Sequence, residues 1–314
     1  MNENATAFLV PSTTRNRDWE NIEDTYLYTT LLRTLDNACP DIPISVYVGY
    51  DNNDPIYSQT EQRLKLNAIF MKFKIVWIEF KPDPGNVVAV WNGLIKVAMG
   101  HGFQWFKILG DDIRLPNDPA WLRVFQKQLK KQNYIGWAAG YSNNDAIATQ
   151  FLIHKTHWTI FEFVFPPQIR NYFCDDWLFN IYPEKYRYWR QDYPLLNTGG
   201  RPRYEPNDDK KLCSALLRRH KKEIPEFINM ISKIKSGGFQ MNPRHSNPFY
   251  VKKPIDIAME EITKLKFLVK ELSEELKEVH NDLRPLQNDL GKRIKIDQIK
   301  DSECVIENSS WWWG

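Results

Sequence analysis

Cysteine is scarce in this chain, with four residues in 314: Cys39, Cys174, Cys213 and Cys304. None lies in a CxxC pair, so neither a zinc site nor a disulfide framework is predicted, and a reducing compartment fits best. Net charge is nearly absent as well. Lys+Arg count 42 against 39 Asp+Glu, a net of +3, which is too even for an obligate nucleic-acid binder. The basic excess is local, at Lys127, Lys130 and Lys131, at Lys210 and Lys211, and from Arg218 to Lys222, where solvated helix faces are the favoured reading over positive patches. No run of about 18 apolar residues occurs, so no membrane span is expected. The first residues lack the basic and apolar regions of an export signal. These absences together predict a cytoplasmic protein.

What the chain does contain is apolar and aromatic residues, 42% and 14%, sufficient for one domain of roughly 240 residues plus an appendage, or for two smaller domains. Ala7 to Pro11, Ile44 to Tyr50, Lys74 to Phe80 and the stretch from Trp105 read as strands. Asp24 to Asn37, Gln59 to Phe70 and Val87 to Met99 have helical spacing between them. Strands separated by helices imply an α/β fold with a mainly parallel sheet. An amphipathic helix follows through Lys131, with Pro119 expected at its first turn. Tyr134 to Gly140 and Thr149 to His154 read as further strands, Trp158 to Phe165 as either helix or strand, and Asp208 to Lys235 as helix.

The periodicity divides the chain into a globular domain over 1–236, a proline-containing linker or docking arm over 237–255, a heptad-like helix over 256–290 and a tail over 291–314. Ile262, Leu265, Val269, Leu272, Leu276, Val279 and Leu283 follow 3-4 spacing. That run suits either a coiled coil through which the chain would form a homo-oligomer, or one amphipathic helix packed back on the domain. The tail closes on Trp311-Trp-Trp313, which nothing in the sequence assigns.

Two acid pairs carry the chemistry. Gly110-Asp111-Asp112 follows a buried strand, which would place both carboxylates in the crevice where open α/β sheets bind ligands. Hard oxygen donors there suit Mn²⁺ or Mg²⁺ carrying phosphates; a solvated turn is the alternative. Asp175-Asp176, beside Trp177, opens a helical segment, where one acid can cap the helix and the other act as a base whose pKa burial raises.

In this order of elements, over about residues 6 to 205, the chain resembles the GT-A fold of nucleotide-sugar-dependent glycosyltransferases. Leu109-Gly-Asp-Asp-Ile113 looks like the family's DxD region, with Gly110 at its first acidic position. Val10-Pro-Ser-Thr-Thr-Arg15 and Tyr50-Asp51 look like its nucleotide loops, and Cys174-Asp-Asp-Trp177 like its acceptor-side acidic motif. The resemblance implies Asp112 and Asp111 as metal ligands. It implies Pro11, Ser12, Thr13, Arg15, Asp51, Gly110 and Asp111 at a donor nucleotide, a UDP-sugar above others, and Trp91 and Asn92 near the donor sugar. Arg201 or Arg203 would meet the pyrophosphate, and Asp176, with Asp175, would serve as base in an inverting transfer to a glycan, protein or small-molecule hydroxyl. For Trp91 a place in the core is the competing reading, and for Asp51 a simple turn.

Three rivals stand beside this: a glycosyltransferase acting on modified nucleic-acid bases, a metal-dependent nucleotidyltransferase, and a noncatalytic coiled-coil assembly protein that only binds sugar. Nucleic acid is the disfavoured acceptor.

Overall fold

The computed structural model describes residues 2–200, 203 and 205–235. The expected linker, heptad helix and tail, and Arg201, lie outside the described residues.

Seven strands form one sheet in the order β3-β2-β1-β4-β7-β6-β8. They are β1 (Thr6–Pro11), β2 (Ile44–Asp51), β3 (Lys74–Phe80), β4 (Trp105–Ile108), β6 (Trp137–Tyr141), β7 (Leu152–His154) and β8 (Arg187–Pro194); β5 (Ile113–Arg114) and β9 (Leu196–Asn197) make a separate small ladder. β1, β2, β3 and β4 are mutually parallel, as the alternation of strand and helix requires, whereas β7 enters antiparallel between β4 and β6. The α/β architecture is thus the one expected.

Side chains alternate across the central strand. Ala7 and Leu9 of β1 feed one core, and Phe8 and Val10 feed the other. Both faces of the strand are therefore buried, which is why it reads as a continuous apolar run. Helices cover the two faces: α1 (Arg33–Asn37), α2 (Thr60–Ile69), α3 (Val87–Gly100), α4 (Trp121–Lys131), α5 (Lys155–Phe161), α6 (Cys174–Ile181), α7 (Lys210–His220) and α8 (Glu223–Lys235). Among the described residues, no helix is long and apolar enough to cross a membrane.

Several boundaries differ from the sequence reading, each for a local reason. The first helical stretch is not one regular α-helix: a 3-10 turn (Ile22–Asp24) and a π-helical segment (Leu27–Leu32) precede α1. Hydroxyls compete there for backbone carbonyls, with Thr29 Oγ1 donating to the Thr25 carbonyl at 2.9 Å and Thr34 Oγ1 to the Thr30 carbonyl at 2.8 Å. Pro119 lies just ahead of α4 instead of inside its first turn. Trp158 to Phe161 is helix, stopped by left-handed Glu162. The 208–235 stretch breaks at Lys221-Lys222, and Pro225 fits the first turn of α8, where its missing N–H leaves no helical bond unmade.

Candidate active site

The carboxyl ends of β1, β2 and β4 lie side by side, so the loops that leave them converge. At β1, Pro11 ends the strand, and the Ser12 N–H still reaches the Gly49 carbonyl of β2 at 2.9 Å. The loop then turns over Asp54, which is completely buried. Its carboxylate accepts from Thr13 Oγ1 at 3.0 Å, from the Thr14 N–H at 2.8 Å and Oγ1 at 2.6 Å, and from the Ile56 and Tyr57 N–H groups. Five donors on one buried acid make Asp54 the anchor between the loops after β1 and β2. No role is assigned to Asp54 from the sequence.

Arg15 leaves this loop toward Asp51, with 3.5 Å between Nε and Oδ2, and donates from Nη2 to the Asn53 side chain. Burial raises the Asp51 carboxyl above its usual range, and Arg15 opposes that. Thr13, Arg15 and Asp51 therefore lie on the two loops that Asp54 ties together.

At β4 the two aspartates point to different fates. Asp111 is completely buried. Its Oδ2 accepts from Ser12 Oγ at 2.6 Å and from Arg203 Nη1 at 2.6 Å, while Oδ1 accepts from Arg203 Nη2. Ser12 also contacts the buried Tyr57 hydroxyl at 2.9 Å. Arg203 Nη1 donates in addition to the Thr13 carbonyl at 2.8 Å. A guanidinium so placed forms a two-pronged bond with a carboxylate, the geometry for which its planar fork is suited.

Asp112 keeps 16% of its side chain exposed and lies 4.0 Å from Arg203 Nη2. Burial, then the neighbouring Asp111 charge, push its carboxyl up to about 6, with Arg203 acting against both. It is pressed between two glycines. A Cβ on Gly110 would meet its Oδ1 at 2.7 Å, and one on Gly199 would overlap the carboxylate outright. The segment carrying Gly199 is held by the Asp112 carbonyl, which accepts from the Thr198 N–H at 3.0 Å and Oγ1 at 3.1 Å.

This arrangement does not fit a divalent ion held by the acid pair. Both oxygens of Asp111, the expected second ligand, accept from Ser12 and Arg203 without solvent access. Asp112 is the more exposed of the two, and among the described residues no group of three or more His, Cys, Asp or Glu side chains could hold a metal. His220 is a packed residue, 6.0 Å from the Trp177 ring centre and bonded to Glu223 at 2.9 Å.

Trp91 and Asn92 of α3 serve the scaffold. The Trp91 indole N–H is shared between the Leu9 and Leu109 carbonyls at 3.2 and 3.3 Å, bridging the ends of β1 and β4. Asn92 Oδ1 accepts from the Val164 and Phe165 N–H groups, and Nδ2 donates to the Phe165 carbonyl at 2.8 Å. Its amide is spent on backbone in a way no spacing rule reveals.

The second acid pair occupies the first turn of α6. Asn171, just before it, donates to the Gly85 carbonyl at 2.9 Å and the Glu205 carbonyl at 3.2 Å, and accepts from the Asn207 N–H at 3.0 Å. Residues Arg203 and Glu205–Asn207 thus reach from the first acid pair to the start of α6. Burial, then Asp176, push the Asp175 carboxyl up to about 7. Asp176 faces α7, where its charge and that of Asp209 add to burial in raising the Cys213 thiol to about 11.

No family model matches the chain, and no curated protein sequence matches it. Among solved structures it is similar to S. aureus TarS 1-349 in complex with UDP, with a TM-score of 0.43 and 13% identity over 61% of this chain and 60% of that one. It is also similar to a putative nucleotide-diphospho-sugar transferase from Desulfovibrio desulfuricans G20, with a TM-score of 0.37 and 12% identity over 69% and 98%. A third is a cytidylyltransferase from Leptospira borgpetersenii serovar Hardjo-bovis, with a TM-score of 0.38 and 12% identity over 77% and 99%. The chain spans 60% of the length of the TarS fragment.

Proposed function

We propose that this chain is a glycosyltransferase that moves a sugar from a nucleoside-diphosphate sugar, a UDP-sugar by preference, to a hydroxyl acceptor. The observation that carries the reading is the convergence of Ser12–Arg15, Asp51, Asp111-Asp112 and Arg203 at the carboxyl ends of β1, β2 and β4. That crevice is where open α/β sheets bind nucleotides.

Asp51 and the loop around Thr13 suit the base and ribose, because carboxylates and hydroxyls can exchange hydrogen bonds with both. Arg15 and Arg203 face the phosphates, where a guanidinium offers paired N–H groups to oxygen anions. Asp112, which stays partly exposed, accepts from a ribose or sugar hydroxyl. The acceptor oxygen attacks the anomeric carbon while the carbon–oxygen bond to the diphosphate breaks. The hydroxyl proton passes to a carboxylate on α6, and the nucleoside diphosphate leaves with the bonding electron pair.

Asp175, rather than the expected Asp176, is our choice for that base, because a carboxyl poised at about 7 can hold the proton it takes near neutral pH. Attack from the face opposite the leaving group makes the transfer inverting. A panel of nucleoside-diphosphate sugars screened by thermal shift and then for nucleoside-diphosphate release tests the reading, since binding raises stability by mass action. Pyrophosphate release would instead establish the nucleotidyltransferase.

A further inference from the structure

The strongest unexplained feature of the site is the position of Arg203. An arginine from a loop over ninety residues away in sequence takes the place between two aspartates where a metal was expected. We propose that Arg203 is itself the resident cation of this site, and that it receives the donor diphosphate without a divalent metal.

Three observations support this inference, which rests on the nucleotide-sugar reading above. Asp111 is unavailable to a metal, since Ser12 and Arg203 hold both of its oxygens and none of its surface is exposed. Arg203 is not used up by that pairing. Of its five N–H groups, three are accounted for by Asp111 and the Thr13 carbonyl. Two remain, on Nε and Nη2, and the Nη2 side is the one that approaches Asp112.

Arg203 also does not stand alone. Its guanidinium and that of Arg17 each lie 5.8 Å from the Tyr26 ring centre, and Arg17 reaches the Gly199 carbonyl beside Asp112 at 3.4 Å. With Arg15 on the same loop, three guanidinium groups gather at one edge. Of the four acids nearby, Asp54 and Asp111 are buried and wholly engaged with internal donors, and Asp51 is paired to Arg15. Asp111 balances the Arg203 charge, so what Arg203 offers an incoming ligand is its two spare N–H groups.

Asp111 becomes a positioning residue on this view. It fixes the guanidinium by two bonds so that its spare donors need no further ordering when phosphate arrives, which lowers the entropic cost of binding. Lysine cannot replace it, because an ammonium is a point charge that cannot hold the Asp111 fork and present a second edge together.

The test uses the full chain and two probes, Mn²⁺ alone and UDP, each titrated by calorimetry. Wild type should bind UDP with the same affinity in EDTA as in Mn²⁺, and should show no site for Mn²⁺ alone. R203M should weaken UDP binding about tenfold to a hundredfold, the usual worth of lost charge-assisted hydrogen bonds. R203K should recover little of that loss. Because R203M leaves Asp111 buried with no cation beside it, the double variant D111N/R203M is measured in parallel and should show the same weak binding with the fold restored.

UDP binding that requires Mn²⁺, with a wild-type Mn²⁺ site that D112N removes, would overturn the inference and leave the nucleotide-sugar reading standing. Failure of UDP to bind in either buffer would overturn both.

Discussion

Replacing Asp175 with Asn is expected to make the protein more stable and the transfer much slower. The carboxyl has an ordinary value of 3.8 and stands at about 7, mainly through burial and secondly through Asp176. About three pH units at roughly 1.4 kcal/mol each set an upper limit of about 4 kcal/mol. Partial solvent access and relaxation around the charge reduce this to about 1–2 kcal/mol. The sign follows from proton counting. Between pH 4 and pH 7 the folded chain holds a proton on Asp175 that the unfolded chain has lost, so wild-type stability falls as pH rises through that window. Asn cannot ionise and has nearly the same shape.

The advantage of D175N over wild type should therefore be small near pH 4, grow to about pH 7 and stay level above it. Urea denaturation of both proteins at several pH values measures this through the midpoint, with equal slopes showing that the unfolding reaction is unchanged. In parallel, wild-type turnover should rise with an apparent pKa near 7, and D175N should lose about a hundredfold or more in kcat, the usual contribution of a general base. An advantage that does not change between pH 4 and pH 8 would refute the assignment of a buried, proton-holding Asp175, whatever the activity.

Other substitutions test other parts of the argument. G199A should abolish UDP binding while the circular dichroism spectrum stays native, because a Cβ there displaces the Asp112 carboxylate; unchanged affinity would mean that Asp112 does not touch the donor. K107M should stabilise the protein by about 1 kcal/mol or more at pH 7. Lys107 is fully buried over the Trp121 and Phe125 rings with only the Gln150 carbonyl to bond, and burial holds its pKa well below the usual value. The gain should shrink toward pH 10, since the unfolded chain alone sheds a lysine proton there; a gain that widens would contradict the burial argument. N92A should cost about 2–4 kcal/mol, because it strands the Val164 and Phe165 N–H groups, and a loss under about 0.5 kcal/mol in urea midpoints would show that water replaces the amide.

Part of this protein is legible in its sequence because the information is local. The apolar runs at β1, β2 and β3 and the helical spacing between them determine a mainly parallel α/β sheet, since a strand buried on both faces and a helix apolar on one side leave different periods in the chain. The place of Gly110-Asp111-Asp112 at the end of a buried strand was legible for the same reason. The antiparallel entry of β7 was not legible, because strand direction depends on where a distant segment finds an open edge.

The unequal roles of the acids belonged to the tertiary structure. Asp111 and Asp112 are identical neighbours in sequence, and only the arrival of Arg203, ninety-one residues beyond Asp112, engages one in a two-pronged bond and leaves the other partly exposed. Asp175 and Asp176 likewise differ only in the fold, where the charge of Asp176 bears on Cys213 while burial and Asp176 raise the Asp175 carboxyl. Sequence fixes which groups can ionise and roughly where they stand on the fold. Burial and the charges brought near by the chain's return set how strongly each holds its proton, because both act through space.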